Sequence, residues 1–295
     1  MSIIASAVLP IILLQVGPNP AMGQIEDFSA MVQERPRRET DQLEMDFSVP
    51  DPASLVSGAD DGWLANCLEL VDTDPARAHV QAQLRRDQTV DGEKIVANYC
   101  LGLAASSLEL FEDALAAFTA ARDETDPGEP ALRARFGIMA GNAALATERQ
   151  QHALILLTEA ERDAQAAGNG RLGALAALDQ ARILVAQGQN AQAEQKLESA
   201  RSLDSESGEA WLLSATLMRR MERLGEAQIM IEQAGLLAPA DPDVALEAGV
   251  IAVLGGRDDA ARASWNSVIA IAPDSPQAES ARIYLAQIGD AVPTP

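Results

Sequence analysis

Three observations predict an all-α fold of repeated helical hairpins. From residue 62 onward, segments of about a dozen residues carry apolar positions at helical spacing, and short breaks divide them. The breaks TDPGEP (125–130), AAGNG (166–170), DSESG (204–208), APADP (238–242) and APDSP (272–276) combine the residues that stop one helix and cap the next. Finally, GEAQIMIEQAGLLAPADPD (225–243) and DAARASWNSVIAIAPDSPQ (259–277) share Ala227 with Ala261, Ala238 with Ala272, Pro239 with Pro273 and Pro242 with Pro276, all at one common offset. No segment shows the sustained two-residue alternation of a strand.

The first element, MSIIASAVLPIILLQVG, is an apolar run too short to span a bilayer comfortably, and Pro10 interrupts it. Small residues at Ala21 and Gly23 then offer a cleavage site, so residues 1–23 read as a signal peptide and the mature chain as periplasmic or secreted. The start lacks the usual Lys or Arg, which leaves open an uncleaved membrane anchor over residues 1–17 or a later start codon. Residues 24–60 have no sustained apolar period and hold several Pro and acidic residues, the composition of a flexible acidic linker. Its apolar points Phe28, Met31, Leu43, Met45 and Phe47 could also fold back onto the rest of the chain. WLANCLELVDTDPARAHVQAQLRR gives a degenerate leading hairpin over 61–94, five hairpins follow over 95–275, and SPQAESARIYLAQIG supplies a single capping helix over 276–290.

A hydrophobic content of 47% suffices for a core, and only 3% of residues are aromatic. Ala is abundant, which favours helices and lets them approach closely. A net charge of -22 repels phosphate backbones and anionic headgroups, so no nucleic acid partner is expected, and membrane contact only through an uncleaved N-terminus.

These residues resemble the tetratricopeptide repeat family, a 34-residue helix-turn-helix with small side chains where helices touch and larger apolar ones between. Trp211, Ala215, Met218, Ala227, Ile231, Ala234 and Pro239 fit that register, as do Gly249, Ala252, Ala261, Trp265, Val268 and Pro273. Leu101, Gly102, Phe111, Ala114, Phe118 and Ala121 fit an earlier copy. The middle copies rest on Gly141, Ala153, Leu157 and Ala160, and on Ala181, Gly188, Ala193, Leu197 and Ala200. Their key alanines, Ala114, Ala153 and Ala193, are spaced more widely than the family period, so loops or helices must be extended there. The resemblance implies a right-handed superhelix whose first helices line its concave side.

The same period bears on the cysteines. Cys67 and Cys100, almost one repeat apart, would fall on first helices of consecutive units, either bridged or as two small buried apolar side chains. Only two histidines occur, His79 and His152, in different hairpins without companion ligands, so no metal site or other cofactor is expected. No nucleophile elbow, phosphate-cradling loop or HExxH pattern is present, and the chain reads as non-enzymatic, with no small-molecule substrate.

What remains is a surface. By the family register the groove positions are Val96, Tyr99, Cys100 and Leu103; Arg135, Ile138, Met139 and Asn142; Leu175, Leu178, Asp179 and Arg182; and Leu212, Leu213, Thr216, Arg219 and Arg220. The resemblance makes Tyr99, Leu103, Arg135, Met139, Asn142, Leu178, Arg182, Leu212, Thr216, Arg219 and Arg220 the expected contacts to a protein or peptide with an apolar side and some acidic groups. Some of the apolar ones could instead pack between helices. The expected function is a scaffold in the bacterial cell envelope. The alternative is an assembly subunit that associates through its convex face, its groove filled by the N-terminal segment.

Overall fold

The computed structural model describes residues 61–288. The expected signal peptide and acidic linker lie outside the described residues. Thirteen helices and no strand occur among the described residues, so the expected all-α class is observed. They run as α1 (Asp61–Thr73) and α2 (Pro75–Gln88), α3 (Asp91–Ser107) and α4 (Phe111–Glu124), then α5 (Pro130–Ala146) and α6 (Gln150–Ala166). There follow α7 (Gly170–Ala186) and α8 (Asn190–Leu203), α9 (Gly208–Arg220) and α10 (Leu224–Leu237), α11 (Pro242–Leu254) and α12 (Asp258–Ile271), and a single α13 (Pro276–Ile288). Helices adjacent in sequence pack against each other, the arrangement of stacked hairpins.

The break residues start helices as their chemistry dictates. The side chains of Asp74, Asn169, Ser207 and Asp241 accept hydrogen bonds from the backbone N–H groups of Arg77, Leu172, Ala210 and Val244, satisfying donors that the first turn leaves unpaired. Pro75 and Pro242 sit at helix starts, where no N–H is missed.

Within each of the five pairs from α3 to α12, one residue of the short turn takes the left-handed conformation: Glu109 (φ 59), Glu148 (φ 60), Gly188 (φ 72), Glu222 (φ 62) and Gly256 (φ 70). The next residue's N–H then reaches back into the first helix, from Leu110 to Ala105, Arg149 to Ala144, Gln189 to Leu184, Arg223 to Met218 and Arg257 to Ala252. The intervals from Glu109 to Glu148 and from Glu148 to Gly188 are longer than the two that follow, which keep the family period. The extra length lies chiefly in the helices: α5, α6 and α7 have 17 residues, against 13 for α9 and α11 and 14 for α10 and α12. A Cβ in the left-handed region costs about 1–2 kcal/mol. Glu148→Gly and Glu222→Gly are therefore each expected to raise stability by about 1 kcal/mol in denaturant melts.

Close helix contacts use the smallest residues. Ala114, Ala121, Ala153, Ala160, Ala193, Ala200, Ala227, Ala234 and Ala261 are all 0% exposed. Inside each hairpin a small residue of the first helix meets a bulky one of the second, and the sizes compensate. Gly102 faces Phe118, Gly141 faces Leu157 and Gly249 faces Trp265, and in each case an added Cβ would overlap the opposing side chain. At the same register Ala181 is matched with Leu197, and Ala215 with Ile231, all within one buried cluster.

Polar links bridge consecutive hairpins at the turn edge. Arg149 donates to Glu112 (2.7 Å), Gln187 to Gln150 (3.1 Å), Arg223 to Glu194 (2.9 Å) and Arg257 to Gln228 (2.5 Å). Such surface pairs contribute at most about 1 kcal/mol each, so the apolar seams dominate. At the N-terminal end a disulfide joins Cys67 on α1 to Cys100 on α3, with Cα atoms 6.4 Å apart. Closing a loop of that length stabilises by about 3–4 kcal/mol and ties the leading hairpin to its neighbour.

Candidate functional site

Because the hairpins keep one register, equivalent positions on their first helices align. Leu103 on α3, Asn142 on α5, Arg182 on α7 and Thr216 on α9 occupy one such position, and all four are half-buried. Their accessible companions are Leu175, Leu213 and the exposed Arg220, with Asp179 more deeply set among them, its side chain 15% exposed. The row sets one apolar side chain, Leu103, beside three polar ones, a surface that can hold a peptide by contact and hydrogen bonds.

The other register-predicted residues lie deeper. Leu178 (1% exposed) and Leu212 (6%) belong to the buried cluster shared by α7 to α11, so that position is core. Tyr99 is buried and stacks at a tilt on Phe136, with ring centroids 5.8 Å apart. Met139 is buried as well. Arg135 is 3% exposed, and burial weakens its hold on its proton, with Tyr99 opposing that shift.

Arg219 is committed to an ion pair. Its Nε donates to Glu247 Oε1 at 2.6 Å and its Nη2 to Oε2 at 3.3 Å, with the two side chains 5% and 8% exposed. The forked geometry suits a guanidinium and a carboxylate and locks α9 to α11. Sequence register puts Arg219 on a face but cannot show that Glu247 of the next hairpin reaches it.

A second charged network runs along the accessible row. Arg182 donates to Asp179 of its own helix and to Glu209 of α9, while Asn142 of α5 hydrogen-bonds Asp179. Burial raises the Asp179 carboxyl above its ordinary value, and Arg182 and Asn142 only partly offset this. Burial alone would lower Arg182, but the Glu209 and Asp179 carboxylates outweigh it and raise the guanidinium. Three hairpins are thus wired together at the surface where a ligand would lie. Sequence reasoning misses Glu209 because its role depends on Arg182, a partner in the preceding hairpin.

The histidines stay apart. His79 lies 3.5 Å from Asp113 and His152 is exposed. Among the described residues no three His, Cys, Asp or Glu side chains converge as a metal site. No helix among them is long and apolar enough to cross a membrane.

A tetratricopeptide repeat family model matches residues 184–248. Comparison with curated protein sequences finds no match. Among solved structures, the chain is similar to Pseudomonas aeruginosa PilF, with 15% identity and a TM-score of 0.59 over 76% of this chain and 97% of that one. PilW, a type IV pilus biogenesis factor, aligns with 17% identity and a TM-score of 0.58 over 74% and 95%. BtubC from P. vanneervenii aligns with 17% identity and a TM-score of 0.52 over 79% and 93%. At these identities the likeness establishes the fold, a solenoid of paired helices.

Proposed function

From the premise that the chain carries tetratricopeptide repeats, we propose that it is a non-enzymatic scaffold that holds a protein or peptide partner on the first-helix face, in the bacterial cell envelope. One observation carries this reading: Leu103, Asn142, Arg182 and Thr216 form an accessible row across four hairpins, with mixed apolar and hydrogen-bonding chemistry. The apolar, signal-like first residues support export. The fold shared with the pilus biogenesis factor PilW is in keeping with an envelope role.

A second reading, an assembly subunit that docks through its second helices, is favoured by the exposed Ile155 (52%), Ile229 (58%) and Leu236 (74%). One experiment separates the two. A photo-crosslinking amino acid placed at Thr216 or Leu103 in cells is expected to yield a discrete protein adduct that the same probe at Ile229 does not yield. Adducts from Ile229 alone would establish the second reading and remove the first.

A further inference from the structure

We propose that the chain associates with further copies of itself, α2 of one copy packing against α10 of the next. The contact lies on the second-helix side and does not depend on what the first-helix face binds.

Charge sets the two helices apart. Among the second helices of the described residues only α2 carries net positive charge, with Arg77, Arg85 and Arg86 against Asp87. Glu93 and Asp87 engage Arg85 and Arg86 at 3.1 and 3.0 Å, whereas Arg77 is exposed. The charged residues of α10 are Glu226 and Glu232, both exposed. Arg223 of the preceding turn holds Glu226 at 2.5 Å, while Glu232 accepts a hydrogen bond from the neutral Gln228. Copies of a chain with net charge -22 repel one another on average. A cationic patch set against an anionic one is what lets them meet.

Both helices also hold large apolar groups in water: Val80 (54% exposed) and Leu84 (55%) on α2, Ile229 (58%) and Leu236 (74%) on α10. Each pair shares one helix face, four and seven residues apart. Val80 and Ile229 lie two residues after Ala78 and Ala227, which are 0% exposed. Two residues turn a helix by about 200°, away from the seam that the alanines fill. Ile155 has the same place after Ala153 on α6, but no second large hydrophobic is exposed on that helix.

The spacings match. Val80 and Leu84 are about 6 Å apart along their axis, and Ile229 and Leu236 about 10.5 Å. The α2 pair therefore fits between the α10 pair, over Glu232 and Gln233, as a ridge enters a groove. Within one chain α10 lies four hairpins beyond α2, so the two helices meet only between copies. Because the patches differ, a dimer keeps one of each free and can add further copies. Two apolar side chains from each helix make a small interface, so association is weak and grows with concentration.

The test is sedimentation and light scattering of the full chain over a range of concentrations. The mass of the unaltered chain is expected to rise with concentration past that of a dimer. Val80→Glu with Leu84→Glu closes the α2 patch, and Ile229→Lys with Leu236→Lys closes the α10 patch. Each variant alone is expected to stay at the mass of one chain. An equimolar mixture offers one intact patch of each kind and is expected to form a dimer and grow no further. That dimer also shows that both variants keep their fold. The proposal is overturned by an unaltered chain that stays single, by either variant associating as the unaltered chain does, or by a mixture that stays single. Arg77→Glu is expected to weaken association at least about tenfold, and Glu232→Arg in the same chain to restore most of it; no loss, or no rescue, overturns the charge match on which the pairing rests. Capture of a partner at Thr216 without self-association would sink this proposal and leave the scaffold reading intact, and self-association without capture would do the reverse.

Discussion

Gly249→Ala is expected to destabilise the chain by about 3 kcal/mol. In an exposed helix the same change would stabilise by about 1 kcal/mol, because Gly is the poorer helix former. Here the added methyl overlaps the Trp265 indole, and packing outweighs propensity. The indole cannot withdraw: it is 2% exposed, its Nε1 donates to the Leu246 carbonyl at 3.2 Å, and its ring packs on Tyr284 of α13 with centroids 5.2 Å apart. Overpacking of this kind costs about 1–3 kcal/mol, and a side chain held on two sides falls at the upper end. Combining Gly249→Ala with Trp265→Leu recreates a small-and-aliphatic pair like Ala181 with Leu197. The double variant should show no additional loss beyond that of Trp265→Leu alone, read by denaturant unfolding.

Arg219→Ala is the second large effect, at about 3–5 kcal/mol. Removing one member of a buried ion pair leaves the other charged and desolvated, and Glu247 at 8% exposure has little water to turn to. Tyr284 of α13 is near enough that Glu247 raises its hydroxyl pKa and Arg219 lowers it, alongside the dominant effect of burial, which raises it. The loss should therefore be felt first in α11 to α13, as faster hydrogen exchange there. Replacing both partners, Arg219→Met with Glu247→Leu, is expected to recover most of the stability, because two apolar groups of similar size need no hydration. Failure of the double variant to recover would show that the pair is not the seam's electrostatic centre.

Much of this architecture was legible because it is repeated. The alternation of Gly with Phe, Leu or Trp and of Ala with Leu or Ile follows from a local steric rule, so the letters at 102, 118, 141, 157, 249 and 265 carry it directly. The turns were only half legible. Gly188 and Gly256 announce a left-handed residue, whereas Glu109, Glu148 and Glu222 adopt the same conformation against their own preference, held by the flanking helices. The long middle repeats could be placed in the sequence, but whether loop or helix absorbed the extra length was set by how α5, α6 and α7 pack.

The candidate site was the least legible part. Register assigns a residue to a face, and Leu103, Asn142, Arg182 and Thr216 are accessible there. It does not say how deep the neighbouring hairpin seats, which is what buries Leu178 and Leu212. Nor does it pair charges across a seam, and so Arg219 with Glu247 and Arg182 with Glu209 emerge only in three dimensions.

The central claim is that all five hairpins hold one register, including those spaced more widely than the family period. A double-mutant cycle in the second hairpin tests it most directly, using Gly141→Ala and Leu157→Ala. A Cβ on Gly141 would lie 2.7 Å from Leu157 Cγ, so truncating Leu157 should relieve part of the Gly141→Ala strain. The expected coupling is about 1 kcal/mol or more in the relieving direction. Additivity of the two changes within about 0.3 kcal/mol would contradict a shared register.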